Sequence, residues 1–217
     1  MNHNPGRKAL LFILLFVLSA ALLGWSAESG AFRILILGDS LTEGYGVEKE
    51  DAFPARLQTR IREEGWGSRI EVVNGGSSGS TSASGGRRLK WYGKTRPDLV
   101  ILALGSNDGL RGVKVEETRR NIEAAIAFCE EKGWKVALTG LEVPPNYGAK
   151  YAGEFRGIFP ELAKKHGLPL HAFLLEGVAG EAEMNIADGI HPNERGHARI
   201  AENLLAFLKP MLPSKGG

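Results

Sequence analysis

Short apolar segments alternate with longer amphipathic segments along most of the chain. The apolar segments are rich in Ile, Val and Leu, as is typical of parallel strands buried on both faces, and they cover residues 33–37, 70–73, 99–104, 135–139 and 168–172. Helical periodicity is found over residues 53–64, 81–92, 115–132, 147–166 and 193–209. This alternation predicts an α/β fold, a three-layer α/β/α sandwich with a five-stranded parallel, doubly wound sheet and right-handed crossovers.

The N-terminal segment has the pattern of an export signal. Arg7 and Lys8 precede an apolar run over residues 9–25, and a basic segment before an apolar stretch is typical of such signals. We therefore predict that residues 1–27 are a signal peptide or a retained membrane anchor and that residues 31–212 form one folded domain. The domain is expected to be exported, periplasmic or secreted, and to contact a membrane only through an uncleaved leader.

Composition narrows the class of function. The chain has 217 residues, of which 43% are hydrophobic and 24% charged, values typical of an ordinary globular domain. The net charge is only +2 and no cluster of basic and aromatic residues stands out, so nucleic-acid binding is not expected. The single cysteine, Cys129, lies on the apolar face of the 115–132 helix and is predicted to be a core residue.

Polar and glycine-rich segments follow the carboxyl ends of the predicted strands. Doubly wound sheets bind their ligands at this edge, so we expect the segments to converge there. They are GDSL at residues 38–41, a Gly/Ser-rich loop over residues 74–79, GSND at 105–108 and DGIHP at 188–192.

Ser40, Asp188 and His191 are the residue types that nucleophilic acyl transfer requires. The chemistry needs a hydroxyl, a base that takes its proton and a carboxylate that orients the base. Asp188 precedes His191 by three residues and can therefore hold one ring nitrogen while the other acts as the base. The Asn107 side-chain amide and the Gly79 N–H can donate hydrogen bonds to an oxyanion.

Each of these features also has a simpler interpretation. Ser40 could be an ordinary helix N-cap, Asn107 a turn former and Gly79 a plain loop glycine. Asp188, His191 and His197 could instead form a metal site. Residues 75–79 also match the nucleophile elbow G-x-S-x-G, with Ser77 as the nucleophile. We disfavour the elbow because that fold normally places its acid and histidine on different loops and is longer.

The four segments, in this order, resemble those of the SGNH, or GDSL, hydrolase family. The family is named for the residues that stand here as Ser40, Gly79, Asn107 and His191. Within it, residues 105–112, 143–151 and 188–193 are similar to the exported bacterial multifunctional thioesterase, arylesterase and lysophospholipase group. The resemblance covers residues 31–212 and implies the flavodoxin-like strand order of the SGNH fold.

The resemblance implies a serine hydrolase of carboxylic esters and thioesters. Ser40 would attack the carbonyl, His191 would act as general base and then as acid, and Asp188 would orient His191. The N–H groups of Ser40 and Gly79 and the Asn107 amide would hold the oxyanion. The loop sequence GGSSGS at residues 75–80 leaves open whether Gly79 or Gly76 supplies its amide.

The resemblance also implies how substrate binds. Residues 141–152 are similar to the family's substrate-lining loop, and substrate contacts are expected at Asp39, Leu41, Asp108, Pro144, Asn146, Tyr147 and Ile190. The substrate is expected to be a small acyl ester or thioester, lipids included, hydrolysed by a monomer without a metal or organic cofactor. A carbohydrate O-deacetylase and a catalytically silent binding protein are the alternatives on the same scaffold.

Overall fold

The structure, a computed structural model, describes residues 30–215. The predicted signal peptide or anchor at residues 1–27 lies outside these described residues. Between residues 30 and 215, no helix combines the length and the apolar character needed to cross a membrane.

Five parallel strands form the sheet at the centre of the described domain. The strands are β1 (Phe32–Gly38), β2 (Ile70–Gly75), β3 (Leu99–Ala103), β4 (Lys135–Thr139) and β5 (Leu170–His171). Their order is β2-β1-β3-β4-β5, and every pair is parallel. The predicted doubly wound, flavodoxin-like sheet is confirmed.

Two groups of helices flank the sheet. The helices are α1 (Ser40–Glu43), α2 (Phe53–Ile61), α3 (Gly85–Tyr92), α4 (Ser106–Leu110), α5 (Val115–Glu131), α6 (Ala149–His166) and α7 (Glu194–Leu208). Helices α2 and α7 pack together, whereas α5 packs against both α3 and α6. All five residues of β3 are buried between the helical layers, and each Leu or Ile side chain removed from water contributes about 1.5–3 kcal/mol.

The chain leaves the sheet in opposite directions after β1 and β3. From β1 it continues to β2 on one side, and from β3 to β4 on the other, so a crevice opens between the carboxyl ends of β1 and β3. The short helices α1 and α4 begin directly beyond these two strand ends. They place Ser40 and Asn107 on either side of the crevice.

The structure differs from the sequence predictions at several boundaries. Strand β5 has two residues instead of five, and the helix predicted over residues 81–92 begins at Gly85, after a 3₁₀ turn over Ser82–Ser84. The α-helix predicted over residues 53–64 ends at Ile61 and continues as a π-helical turn over Arg62–Trp66, in which Gly65 has a φ of 97°. Cys129 is a core residue, as predicted, and burial raises the pKa of its thiol to about 12.

Candidate active site

Ser40 is the first residue of α1, immediately beyond the carboxyl end of β1. Gly38 makes this short connection possible, because a Cβ at that position would lie 1.9 Å from Thr42 Oγ1. Asp39 is the N-cap of α1, and its Oδ1 accepts a hydrogen bond from Leu41 N at 3.1 Å. The Ser40 N–H therefore lies in the first turn of a helix, where the backbone offers it no intrahelical partner.

A hydrogen-bonded relay joins Ser40, His191 and Asp188. His191 Nε2 lies 2.9 Å from Ser40 Oγ, and His191 Nδ1 lies 2.6 Å from Asp188 Oδ2. The other carboxylate oxygen, Asp188 Oδ1, accepts the backbone N–H groups of Ile190 at 2.9 Å and of His191 at 3.0 Å. The structure thus brings together the three residues predicted from segments 151 positions apart.

Asp188 is held in its ionised form. Desolvation raises the pKa of its carboxyl, but the backbone N–H and ring of His191 and the N–H of Ile190 outweigh that effect and lower the pKa to about 2. A carboxylate at this position accepts the proton of Nδ1 and leaves Nε2 of the neutral ring as an acceptor facing the serine.

An exposed aromatic ring lies over the histidine. The ring centroids of Tyr45 and His191 are 4.7 Å apart at an interplanar angle of 47°. Tyr45 is 53% exposed, and Ile190, which directly precedes His191 in the sequence, is 47% exposed. These two side chains give the rim of the site an apolar surface. Ile190 was predicted to contact substrate, whereas the sequence analysis missed Tyr45, whose only signal is its place five residues after Ser40.

The two candidate glycines of the Gly/Ser-rich loop differ in the hydrogen bonding of their amides. Gly76 N donates to Asn74 Oδ1 at 2.8 Å, and Ser78 N donates to Glu43 Oε2 at 2.8 Å. The Gly79 N–H, by contrast, donates to no acceptor within residues 30–215, and its φ of 73° favours glycine. Of the two candidate glycines, Gly79 is the one whose amide is available.

Asn107 belongs to α4 and reaches toward the same loop. Its Nδ2 donates one hydrogen bond to the Ser80 carbonyl at 3.0 Å. A side-chain amide carries two N–H groups, so the other can serve a ligand. The bond to Ser80 also fixes the side chain beside the segment that holds Gly79.

Three of the predicted substrate contacts lie in the interior instead of at the surface of the crevice. Asp39 is 0% exposed, Asp108 1% and Leu41 5%. Asp108 accepts Ser82 N at 2.7 Å and Ser82 Oγ at 2.5 Å. The two acids therefore hold backbone segments that carry the site, and we do not retain Asp39, Leu41 and Asp108 as direct ligand contacts.

The loop predicted to line the substrate site is tied to α4. Pro144, Asn146 and Tyr147 are exposed on it, and Tyr147 Oη donates to the Leu110 carbonyl at 2.8 Å. Leu110 is the last residue of the helix that carries Asn107. The contact places this loop beside the crevice.

Arg88 on α3 binds the ends of two neighbouring strands, a contact that could not be predicted from the sequence. Its Nη1 donates to the Gly38 carbonyl at 2.8 Å and its Nη2 donates to the Gly75 carbonyl. These carbonyls end β1 and β2, the strands that lead to Ser40 and to the Gly/Ser-rich loop. Arg88 therefore ties together two of the segments that carry candidate site residues.

The alternative assignments do not match this geometry. His191 contacts Ser40 and not Ser77, so the nucleophile elbow has no base. His197, the third member of the possible metal site, is fully buried, and its Nδ1 accepts the Phe53 N–H at 3.2 Å. His197 is therefore engaged in the core, and residues 30–215 contain no group of three or more His, Cys, Asp or Glu side chains that could hold a metal ion.

Comparison with known proteins places the chain among lipolytic hydrolases. The GDSL-like Lipase/Acylhydrolase family matches residues 36–199. Esterase TesA of Pseudomonas aeruginosa is 37% identical over 88% of this chain and 95% of its own length. Thioesterase 1/protease 1/lysophospholipase L1 of Escherichia coli K12 is 34% identical over 93% and 91%. A crystal structure of TesA superposes with a TM-score of 0.78 and 38% identity, covering 83% of this chain and 99% of that one. The predicted family is confirmed, and the chain belongs to the GDSL-like lipase/acylhydrolase family.

Proposed function

We propose that the protein hydrolyses carboxylic esters and thioesters of small acyl compounds, lipids included, with Ser40 as the nucleophile. The observation that carries the proposal is the relay from Ser40 Oγ through His191 to Asp188, with donor–acceptor distances of 2.9 and 2.6 Å. Distances of this size allow proton transfer between the serine and the ring.

The chemistry follows from the positions of the atoms. Ser40 Oγ attacks the carbonyl carbon while His191 Nε2 takes its proton, and Asp188 stabilises the imidazolium that forms. Collapse of the tetrahedral intermediate breaks the bond to the alcohol or thiol, which leaves with the proton from His191. Water then attacks the acyl-serine, again with His191 as the base, and releases the acid.

The oxyanion of each tetrahedral intermediate requires hydrogen-bond donors in place before it forms. We assign this role to the N–H groups of Ser40 and Gly79 and to the Asn107 side chain. All three belong to segments at the carboxyl ends of strands β1 to β3, and their N–H groups need no rearrangement to be available. Losing one such donor costs about 3–4 kcal/mol of transition-state stabilisation.

The substrate preference and the location of the protein belong to the same proposal. The exposed rim of Tyr45, Ile190 and Tyr147 favours acyl groups with apolar chains over acetylated sugars. The N-terminal pattern of Arg7, Lys8 and an apolar run supports action outside the cytoplasm. We expect the enzyme to act as a monomer.

The test is hydrolysis of a short and a long p-nitrophenyl acyl ester by the parent, Ser40→Ala and Ser77→Ala. Ser77 is the matched control, since it is a serine in the neighbouring loop and makes no contact with His191. We expect Ser40→Ala to lower kcat roughly 10⁴- to 10⁶-fold and to lose labelling by a fluorophosphonate, whereas Ser77→Ala stays within a few fold.

Three results would contradict the proposal. Loss of activity in Ser77→Ala alone would make the Gly/Ser-rich loop the nucleophile elbow. Hydrolysis of acetyl esters with no activity on longer chains would favour the deacetylase alternative. A folded parent that neither hydrolyses the esters nor reacts with the fluorophosphonate would be a silent binding protein.

A further inference from the structure

One side of α3 exposes a tryptophan among basic residues. Positions 87, 90, 91 and 94 follow a spacing of i, i+3, i+4 and i+7 and therefore lie on one side of α3 and the turn that follows it. We call these residues, Arg87, Lys90, Trp91 and Lys94, the α3 face. All four are exposed, and Trp91 is 62% exposed. The opposite side of the helix carries Leu89 into the core.

The positive charge of the α3 face is not neutralised by neighbouring acids. Residues 85–97 contain five Lys or Arg and no Asp or Glu. Of the five, only Arg88 turns inward, to the carbonyls of Gly38 and Gly75. Arg87, Lys90 and Lys94 take part in none of the ion pairs among residues 30–215. The expectation that no basic and aromatic residues cluster is therefore wrong for this segment.

The indole of Trp91 is the second, independent feature of the α3 face. Its ring contact is with Tyr92, edge to face at 4.7 Å, and the rest of the ring faces outward. An indole combines a large apolar body with one polar N–H, and such side chains prefer the boundary between water and lipid. Lysine and arginine beside that boundary are attracted to anionic headgroups.

We propose that the α3 face docks the protein onto an anionic phospholipid surface. Indole insertion at headgroup level and contact of the three cations with lipid phosphates both fit the observed arrangement. A single-stranded nucleic acid would need a basic groove with several aromatic side chains on which successive bases stack, whereas the α3 face offers one exposed indole. The α3 face includes none of the residues assigned to the active site, and the proposal does not depend on the proposed hydrolysis.

The test measures binding of residues 31–217 to lipid vesicles. This segment omits the apolar run over residues 9–25, which would bind lipid by itself. It contains every core residue described above, and 83% of the chain suffices to cover 99% of the crystallised TesA chain. Vesicles of phosphatidylcholine are compared with vesicles in which a quarter of the lipid is phosphatidylglycerol, at ionic strengths of about 0.02 M and about 0.5 M.

The variant Lys90→Glu/Lys94→Glu reverses the charge of two of the three cations on the α3 face, and Arg156→Glu/Lys164→Glu makes the same change in charge on α6. Arg156 and Lys164 are both exposed, and neither takes part in an ion pair among residues 30–215. We expect the parent and the α6 variant to bind anionic vesicles alike at low salt. The α3 variant should bind at least about 30-fold more weakly, because each basic residue near such a surface contributes about fivefold in partitioning. Tryptophan emission of the parent should shift to the blue on binding, and that shift should be absent from Trp91→Phe.

Hydrolysis of a water-soluble p-nitrophenyl ester should be the same for the parent and all these variants, which shows that each is folded. Equal loss of vesicle binding in the α3 and α6 variants would overturn the proposal, as would binding to anionic vesicles that Trp91→Ser leaves unchanged. Tighter binding to a single-stranded oligonucleotide than to the vesicles at the same ionic strength would reassign the α3 face to nucleic acid.

Discussion

Asp39, directly before the proposed nucleophile Ser40, is a buried acid with one carboxylate oxygen that lacks a hydrogen-bond partner among the described residues. Its Oδ1 accepts the Leu41 N–H, whereas Oδ2 has no hydrogen-bond partner. Desolvation raises the pKa of the carboxyl to about 6, and the Leu41 N–H and the nearby Ser106 hydroxyl oppose this effect. The Ser106 hydroxyl makes no hydrogen bond to Asp39. The ionised form of Asp39 therefore destabilises the folded domain at neutral pH.

We expect Asp39→Asn to be more stable than the parent at pH 8 and equal to it near pH 4. The amide keeps an oxygen for the Leu41 N–H and cannot ionise. Because the folded pKa of about 6 lies above the ordinary value of 3.8, the contribution of Asp39 is fully present below pH 3.8 and is lost as the pH rises through 6. The difference corresponds to about 3 kcal/mol. Urea unfolding at a series of pH values measures it, and a difference that is independent of pH would contradict the burial argument.

At the residue scale, the sequence predicted chemistry better than contacts. Ser40, Asp188 and His191 could be proposed because acyl transfer requires these residue types and because a three-residue spacing lets Asp188 reach the ring of His191. The ring of Tyr45 over His191 and the bonds from Arg88 could not be found, because they depend on the paths that α1 and α3 take in three dimensions. Burial of Asp39 and Asp108 is a tertiary property as well.

At the scale of elements, Asp108 binds the 3₁₀ turn that follows the Gly/Ser-rich loop and so holds this segment to the rest of the domain. Its carboxylate accepts both the N–H and the hydroxyl of Ser82, and the Thr118 hydroxyl lies 3.3 Å from Oδ1. Asn121 of α5 donates to Ser82 Oγ at 3.0 Å. This network joins the segment before α3 to α4 and α5. It is adjacent in sequence to the Asn107–Ser80 hydrogen bond, because Asp108 follows Asn107 by one residue and Ser82 follows Ser80 by two.

Asp108→Ala should lower both stability and activity. The substitution leaves the buried N–H and hydroxyl of Ser82 without an acceptor, which costs about 3 kcal/mol of unfolding free energy. It also frees the loop that carries Gly79, so kcat should fall more than KM rises. Thr118→Val is the control, since it removes only the long bond and should cost less than about 1 kcal/mol. Unfolding and steady-state kinetics measure the two effects, and an Asp108→Ala variant with parental kcat would show that the network does not position the loop.

The same network explains where sequence-based boundaries failed. Helical periodicity continues back to Thr81, but the side chain and N–H of Ser82 bind Asp108, and the chain forms a 3₁₀ turn before α3 begins. The strands were predicted more closely, because β1, β3 and β4 each contain a continuous apolar run, over residues 34–37, 99–103 and 136–138, that needs no tertiary information. β5, at the edge of the sheet, pairs through only two residues with β4, so its apolar pattern overstated its length.

At the scale of the whole molecule, His197 connects the beginning of the domain to its end. The N-cap position of α2, Ala52, offers no side-chain acceptor. Instead, the Phe53 N–H donates to Nδ1 of His197, which lies 144 residues later on α7. The Phe53 and His197 rings also stack, with centroids 6.1 Å apart. The last helix thus supplies the capping group that the sequence around α2 lacks.

His197 and Asp39 give the domain two opposite dependences on pH. Burial, with Arg56 adding to it and Asp51 opposing it, lowers the pKa of His197 to about 4 from 6.5. A base with a depressed folded pKa binds its proton more readily when unfolded, so its contribution is present above pH 6.5 and is lost as the pH falls toward 4. The stabilising contribution of Asp39, in contrast, increases as the pH falls over nearly the same interval. Each effect amounts to about 3 kcal/mol, so the two largely cancel in the parent.

Removing one member of this pair should expose the other. His197→Asn retains an oxygen for the Phe53 N–H without a titrating ring, so its stability relative to the parent should improve by about 3 kcal/mol as the pH falls from 6.5 to 4. Relative to the parent, Asp39→Asn should lose stability over the same interval. The stability of the double variant should differ from that of the parent by a nearly constant amount. Urea unfolding of the parent, the two single variants and the double variant between pH 4 and 8 measures the difference in unfolding free energy between each variant and the parent. If His197→Asn tracks the parent at every pH, the proton on His197 does not act on folding, and its role is limited to capping α2.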